Sequence, residues 1–311
     1  MKNKKHYPHI TGMQNIKGFS LLEFLVASAL SMIVLLAAGK GYFTARQLNE
    51  AAGVRMGVQQ DLRNAANMVV RDARMAGSFG CFNMAADIEQ FDVGGGTMGA
   101  RAVTGSRTIR DTDDAAFGLT WESADNSLMP VRQVADFRPD GFTPDTNALV
   151  FLYGAENPAD DDPFVLSACD TLVRGAGGTV PTAENAVTAL GGAAVRNGEV
   201  AVLRYAAYAY AVGTIGGQRG LFRFQLNNNN TWGSPQLLVA GVTGARFRYI
   251  YVNNCPADNS PLERFEYSED LNRIPALVRI ELTGGAEDAN QIYTIDAAVR
   301  GGNTCANRSL S

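Results

Sequence analysis

The chain has 311 residues and a formal net charge of −4, room for one large domain or two small ones beyond an anchor. Its acidic balance argues against a dedicated nucleic-acid binder, which presents a basic patch. Arg246 and Arg248 make too small a pair to supply one, and Arg71 and Arg74 flank an acid, Asp72.

Near the start, Lys17-Gly18-Phe19-Ser20-Leu21-Leu22-Glu23-Phe24-Leu25 opens an apolar run that reaches Ala38 with Glu23 as its only charge. About 20 helical residues at ~1.5 Å each span roughly 30 Å, enough to cross a bilayer. A carboxylate at the centre of such a helix costs on the order of 3 kcal/mol. Glu23 stands near the N-terminal end instead, where the helix dipole favours negative charge. A plain membrane anchor has no use for it. A secretory signal peptide has a shorter apolar core and an A-x-A-like site, of which Leu35-Leu36-Ala37-Ala38-Gly39 is only a loose version.

These residues resemble the type IV prepilin signal, with Gly18 before the cut, Phe19 as the new N-terminus and Glu23 five residues into the mature chain. The resemblance implies that a membrane peptidase cleaves after Gly18 and that Phe19 is N-methylated. It also implies that Glu23 pairs with the N-terminal amine of a neighbouring subunit as helices bundle into a filament. A carboxylate in a dry bundle needs a cation or a proton. Residues 1–18 form the leader, with Lys2, Lys4, Lys5 and Lys17 and no acid. That basicity sets a positive-inside orientation, with residues after Leu36 outside the cytoplasm. Met13 is in frame and would open a shorter leader, so the start at Met1 or at Met13 stays open.

Removing the leader takes the net charge from −4 to −8 and removes both histidines, His6 and His9. Serine–histidine and cysteine–histidine nucleophile systems are then excluded, as are His-ligated zinc and iron sites. Lys40 is the one lysine left, placed to sit among headgroups. The chain is therefore expected to be no enzyme and to need neither cofactor nor metal.

From Lys40 the helix is expected to continue to Ala76. Leu48, Ala51, Val58, Leu62, Ala65, Val69 and Ala73 form an apolar stripe, with Gln59, Asp61, Arg63, Asn67 and Asp72 off it. Gly77 and Gly80 supply the stop. Gly39, Gly41, Gly53 and Gly57 each weaken the helix by about 1 kcal/mol relative to alanine. They mark a bend or close packing, or are merely tolerated. Residues 19–38 would be the transmembrane and filament-core half, 39–77 the half that packs on the head, and 78–311 a β-rich head.

Residues 81–145 read as loops, short strands and a short helix. Strands are expected at Asn147–Tyr153, Phe164–Ser167, Glu199–Val212, Leu221–Leu226, Gln236–Val242, Ala245–Val252, Ala276–Thr283 and Gln291–Val299. Asn227-Asn228-Asn229-Asn230 is a turn signal between two of them. One long helix followed by strands gives an α+β, pilin-like class.

Further segments narrow the resemblance to the PilW family of minor pilins. They are Arg71-Asp72-Ala73-Arg74-Met75-Ala76-Gly77-Ser78-Phe79-Gly80-Cys81, Val165-Leu166-Ser167-Ala168-Cys169-Asp170, Leu237-Leu238-Val239-Ala240-Gly241-Val242 leading to Tyr249, and Pro275-Ala276-Leu277-Val278-Arg279-Ile280. What that family implies is a low-abundance subunit that primes pilus assembly near the filament tip. Its partners would be other minor pilins, the major pilin, the prepilin peptidase, the inner-membrane assembly platform and a tip adhesin. The implied localisation is the inner membrane, as a single-pass protein with a periplasmic C-terminal domain, and then the pilus at the cell surface, with adhesion and twitching motility as roles. The J-type pseudopilin of type II secretion shares the N-terminal motif but is usually shorter. An uncleaved, membrane-anchored binding or enzymatic domain is the reading of a different class.

The four cysteines, Cys81, Cys169, Cys255 and Cys305, lie in the part expected outside the cytoplasm, where an even count reads as two disulfides. Long separations without C-x-x-C argue against a metal or redox motif, and three pairings are possible. The resemblance favours Cys81 with Cys169, because both fall in family-like segments, and Cys255 with Cys305 as a local addition. Asp111, Asp113 and Asp114, and Asp160, Asp161 and Asp162, are oxygen-rich loops without the twelve-residue calcium-loop pattern, and read as solvated charge. Gly94-Gly95-Gly96-Thr97-Met98-Gly99 has neither a strand before it nor a helix after it, and reads as a loop rather than a nucleotide fingerprint.

Overall fold

The structure, a computed structural model, describes residues 20–83, 108–110, 130–156, 158–169, 171–175, 179–190, 199–227, 231–252, 265–271, 274–284, 292–300 and 302. It divides into two compact units, Met1–Met56 and Gly57–Ser311.

Helix α1 spans Leu21–Met75 and runs through Gly39, Gly41, Gly53 and Gly57 without a break. A methyl group at any of the four would meet nothing within 4 Å, so close packing does not require them there. The end of α1 is abrupt. Gly77 takes φ 79°, a conformation that costs glycine nothing, and its N–H reaches the carbonyl of Leu152 at 2.9 Å. On the stretch from Gly57 onward, Leu62, Ala65, Val69 and Ala73 are buried, one face at helical spacing. Leu48, assigned to the same stripe from sequence, is 65% exposed.

The strands are β1 (Ser78–Phe79), β2 (Phe82–Asn83), β3 (Thr108–Arg110), β4 (Val131–Val134), β5 (Phe142–Pro144), β6 (Ala148–Ala155), β7 (Phe164–Ser167), β8 (Thr171–Gly175), β9 (Ala201–Ile215), β10 (Gln218–Leu226), β11 (Trp232–Ala240), β12 (Val242–Val252), β13 (Phe265–Ser268), β14 (Leu277–Gly284) and β15 (Ile292–Ala298). Helix α2 (Ala183–Leu190) lies between β8 and β9 in the chain. Its first turn is closed by Thr182, whose Oγ1 accepts from the Asn185 N–H at 3.4 Å.

The fifteen residues of β9 form the spine of a nine-stranded sheet. One edge of β9 pairs with β7 and then β10, and the other with β6 and then β5. The β9–β10 turn is Gly216-Gly217 with both φ positive, the two-residue hairpin form that glycine permits. A second sheet runs β13-β12-β14-β15, antiparallel throughout, while β3 and β8 are a parallel pair.

Alternation along β9 sorts its side chains between two cores. Ala206, Tyr208, Tyr210 and Val212 join the end of α1 and the inner face of the second sheet, including Phe247, Tyr249 and Ile280. Tyr205, Ala207, Ala209 and Ala211 face the opposite core with Phe142, Phe222 and Phe224. The α+β class holds: the long N-terminal helix has its last turns packed in a β-rich domain. The sequence pattern does not mark β1, β8, β13 or α2, each of eight residues or fewer.

Candidate functional site

Charge meets apolar surroundings at both ends of α1. At the start, Ser20 is the N-cap. Its Oγ accepts from the Glu23 N–H at 3.2 Å, and Glu23 Oε2 accepts in return from the Ser20 N–H at 3.0 Å. The first helical bond runs from the Phe24 N–H to the Ser20 carbonyl at 3.2 Å. This is a reciprocal capping box, which satisfies two donors that a helix end leaves open. The Ser20-Leu21-Leu22-Glu23 spacing announces it, and it adds a reciprocal side-chain bond to the dipole argument made for Glu23.

The side chains that follow are exposed, from Leu21 at 80% to Leu36 at 60%. By length and composition this stretch can cross a membrane. Its hydroxyls are satisfied within the helix: Ser28 donates to the Leu25 carbonyl at 2.9 Å and Ser31 to the Ala27 carbonyl at 2.7 Å. Gly18 and Phe19 lie outside the described residues.

At the other end the structure corrects one assignment. Asp72, read as part of the polar face, is 1% exposed. Tyr153 donates to its Oδ1 at 2.9 Å and Tyr210 to its Oδ2 at 2.6 Å. Arg223 donates to Oδ2 through Nε at 3.2 Å and Nη2 at 2.9 Å. The guanidinium also lies 3.6 Å over the Tyr208 ring, and Tyr208 in turn accepts from Arg204 at 3.2 Å. A carboxylate in the last turn of a helix faces the negative end of the dipole, so the Arg223 charge is what makes the position tenable.

Burial first, and then the Asp72 charge, push the Tyr210 and Tyr153 phenols far above their ordinary pKa. Burial opposes the Arg223 charge, but Tyr210 and Asp72 outweigh it and hold its pKa above the usual value. This arrangement fixes a helix on a sheet. It places no reactive group at a surface.

Five residues beyond Ala76, Cys81 is joined to Cys169 in a disulfide, with the Cα atoms 4.6 Å apart. Ser167 Oγ also donates to the Phe79 carbonyl beside it. Cys255 and Cys305 lie outside the described residues, as do Asp111, Asp113, Asp114 and Gly94–Gly99. In the second acidic loop, Asp162 Oδ2 accepts from the Ala159 N–H at 3.0 Å and Asp160 Oδ1 from the Val180 N–H at 3.4 Å. Among the described residues no three His, Cys, Asp or Glu side chains gather as a metal site.

The family described as the prokaryotic N-terminal methylation motif matches residues 13–39. That match supports a type IV pilin-like protein. It takes in Gly18, Phe19, the capping box and the apolar stretch up to Gly39. No curated protein and no solved structure matches the chain. The pilin-like motif points to a structural protein rather than an enzyme, processed by a prepilin peptidase and assembled into a pilus-like structure. With the apolar helix it fits a membrane-anchored pilin that later stands in a surface filament.

Proposed function

We propose that the chain is a minor pilin of a type IV pilus, of the PilW kind, which primes filament assembly and stands near the tip. The observation that carries this reading is the methylation motif at residues 13–39 on a helix whose last turns are locked into a large β-rich head. Leader cleavage would fall between Gly18 and Phe19, with Phe19 then methylated. Glu23 is the assembly residue. Its carboxylate waits on its own Ser20 N–H at 3.0 Å and exchanges that neutral donor for a neighbour's α-ammonium on entering the filament. A charged donor is the stronger partner in a dry bundle. The domains follow the sequence reading, with 1–18 as leader, 19–38 as the membrane and filament-core half, 39–77 as the packing half and 78–311 as the head outside the cytoplasm. The partners are other minor pilins, the major pilin, the assembly platform and a tip adhesin.

The experiment is to count surface pili in a strain whose chromosomal copy carries Glu23→Ala. The reading expects normal membrane insertion with few or no pili, and normal pilus number would defeat the role given to Glu23. The same motif serves pseudopilins, so the deletion strain separates the two systems. Loss of pili with intact secretion supports the pilus, and loss of secretion with intact pili supports the J-type pseudopilin.

A further inference from the structure

We propose that the junction between α1 and the head is a mechanical clamp, which passes tension from the helix into the middle of the nine-stranded sheet and around residues 82–168. The idea rests on the reading that α1 is anchored in a membrane or a filament, because only an anchored helix is pulled.

The apolar grip on the end of α1 is thin. Of its four buried apolar positions Ala65 and Ala73 are alanines, with Leu62 and Val69 the larger ones, and Val58, Val70 and Met75 are only half buried beside them. An alanine methyl removes far less surface from water than a leucine side chain. Polar and covalent ties make up for it, and they run to adjacent strands. Asp72 alone is held by Tyr153 of β6, Tyr210 of β9 and Arg223 of β10. These three strands are neighbours in the sheet. The Gly77 N–H is bonded to Leu152 of β6, and the Phe79 carbonyl accepts from Ser167 of β7. The last tie is covalent. Cys81–Cys169 closes 88 residues and delivers the chain just beyond β7, a strand paired to β9 on one side and β8 on the other.

A helix drawn out of the core therefore meets its stop at Cys81. The β1–β2 pair has only two residues per strand, so β1 comes away before that stop is reached while β2 lies behind it. Tension enters the long strand β9 and its partners instead. A chain without the bridge would unravel from its N-terminal side, one segment after another.

The test is single-molecule pulling on the full chain in detergent, with one handle at the N-terminus and one inserted in the exposed Gly216-Gly217 turn. For the oxidised protein the first rupture of the head should release no more chain than residues 57–80, about 85 Å fully extended, and then lock. Under reductant, or in the Cys81→Ser/Cys169→Ser variant, release should run on by roughly 100 Å or more, since each freed residue adds about 3.5 Å. Equal release lengths with and without the bridge would overturn the clamp.

Asp72→Asn should raise the rate of first rupture at constant load by about tenfold or more, the loss expected for hydrogen bonds to a charged group. Tyr210→Phe leaves the ion pair in place and serves if the Asn variant does not fold, with a rise of about fivefold expected. Neither variant should change rupture when the handles are at Gly241, in the β11–β12 turn, and at the C-terminus, because Asp72, Tyr153, Tyr210 and Arg223 all precede that stretch. An equal acceleration in both geometries would reduce the cluster to ordinary stability and refute the proposal, as would no acceleration through the helix.

Discussion

Arg223 places two donors on a single oxygen of Asp72, Nε at 3.2 Å and Nη2 at 2.9 Å, across 151 positions of sequence. The acid is buried with 2% of its side chain exposed and the base is 19% exposed. Removing one partner of a buried pair leaves the other charge unmatched, a loss of roughly 3–5 kcal/mol, here at the lower end because Tyr153 and Tyr210 still donate to Asp72. Arg223→Met should therefore lower the melting temperature by about 6–12 °C, at 2–4 °C per kcal/mol for a domain of this size. Circular dichroism melts of the wild type and variant side by side check it.

The raised phenols give a pH prediction. The folded pKa values of Tyr153, Tyr210 and Tyr249 lie above the ordinary phenol value of 10.0, through burial first. The native state therefore keeps protons that the unfolded chain gives up. Their contribution is whole below about pH 10 and is lost as pH rises above it, with a slope of about 1.4 kcal/mol per pH unit for each phenol. Urea unfolding at stepped alkaline pH, with tyrosinate absorbance in parallel, should show stability falling above pH 10 and those phenols ionising only on unfolding. Tyr210→Phe should remove one phenol's share of the slope.

Closing 88 residues with Cys81–Cys169 restrains the unfolded chain. Chain-entropy arithmetic for a loop of that length gives roughly 4–5 kcal/mol, and typical bridges give ~2–4. The double serine variant should therefore unfold at a lower denaturant midpoint. It should also show a slightly larger denaturant slope, because its unfolded chain exposes more surface.

At the N-terminus, the capping box predicts a local effect. Ser20→Ala removes the acceptor for the Glu23 N–H and should cost about 1 kcal/mol in the first turn. Hydrogen exchange in detergent should then speed up about fivefold at the amides of residues 21–24. The rest of α1 should be unchanged, and Ser20→Thr should restore the wild-type rate.

Much of the fold was legible because it is periodic. The β9 alternation of Tyr208, Tyr210 and Val212 against Ala207, Ala209 and Ala211 reads as a strand buried on both faces, and Leu62, Ala65, Val69 and Ala73 read as a helical stripe. Asp72 was misplaced for a physical reason. Its partners are 81, 138 and 151 positions away, and no local pattern reports a charge neutralised at that distance. The Arg71-Asp72-Ala73-Arg74 run suggested a solvated face, whereas the sheet supplies a third arginine from below. Ser20 is the opposite case, since its partner is three residues away and the S-x-x-E spacing carried the whole signal.

The central claim is that this chain enters a filament through a processed N-terminus, and mass spectrometry of the protein from its own membranes tests it most directly. The account predicts a chain that begins at N-methylated Phe19, with residues 1–18 gone. An intact leader, or a cut at any other bond, would contradict it and return the chain to the membrane-anchored domains.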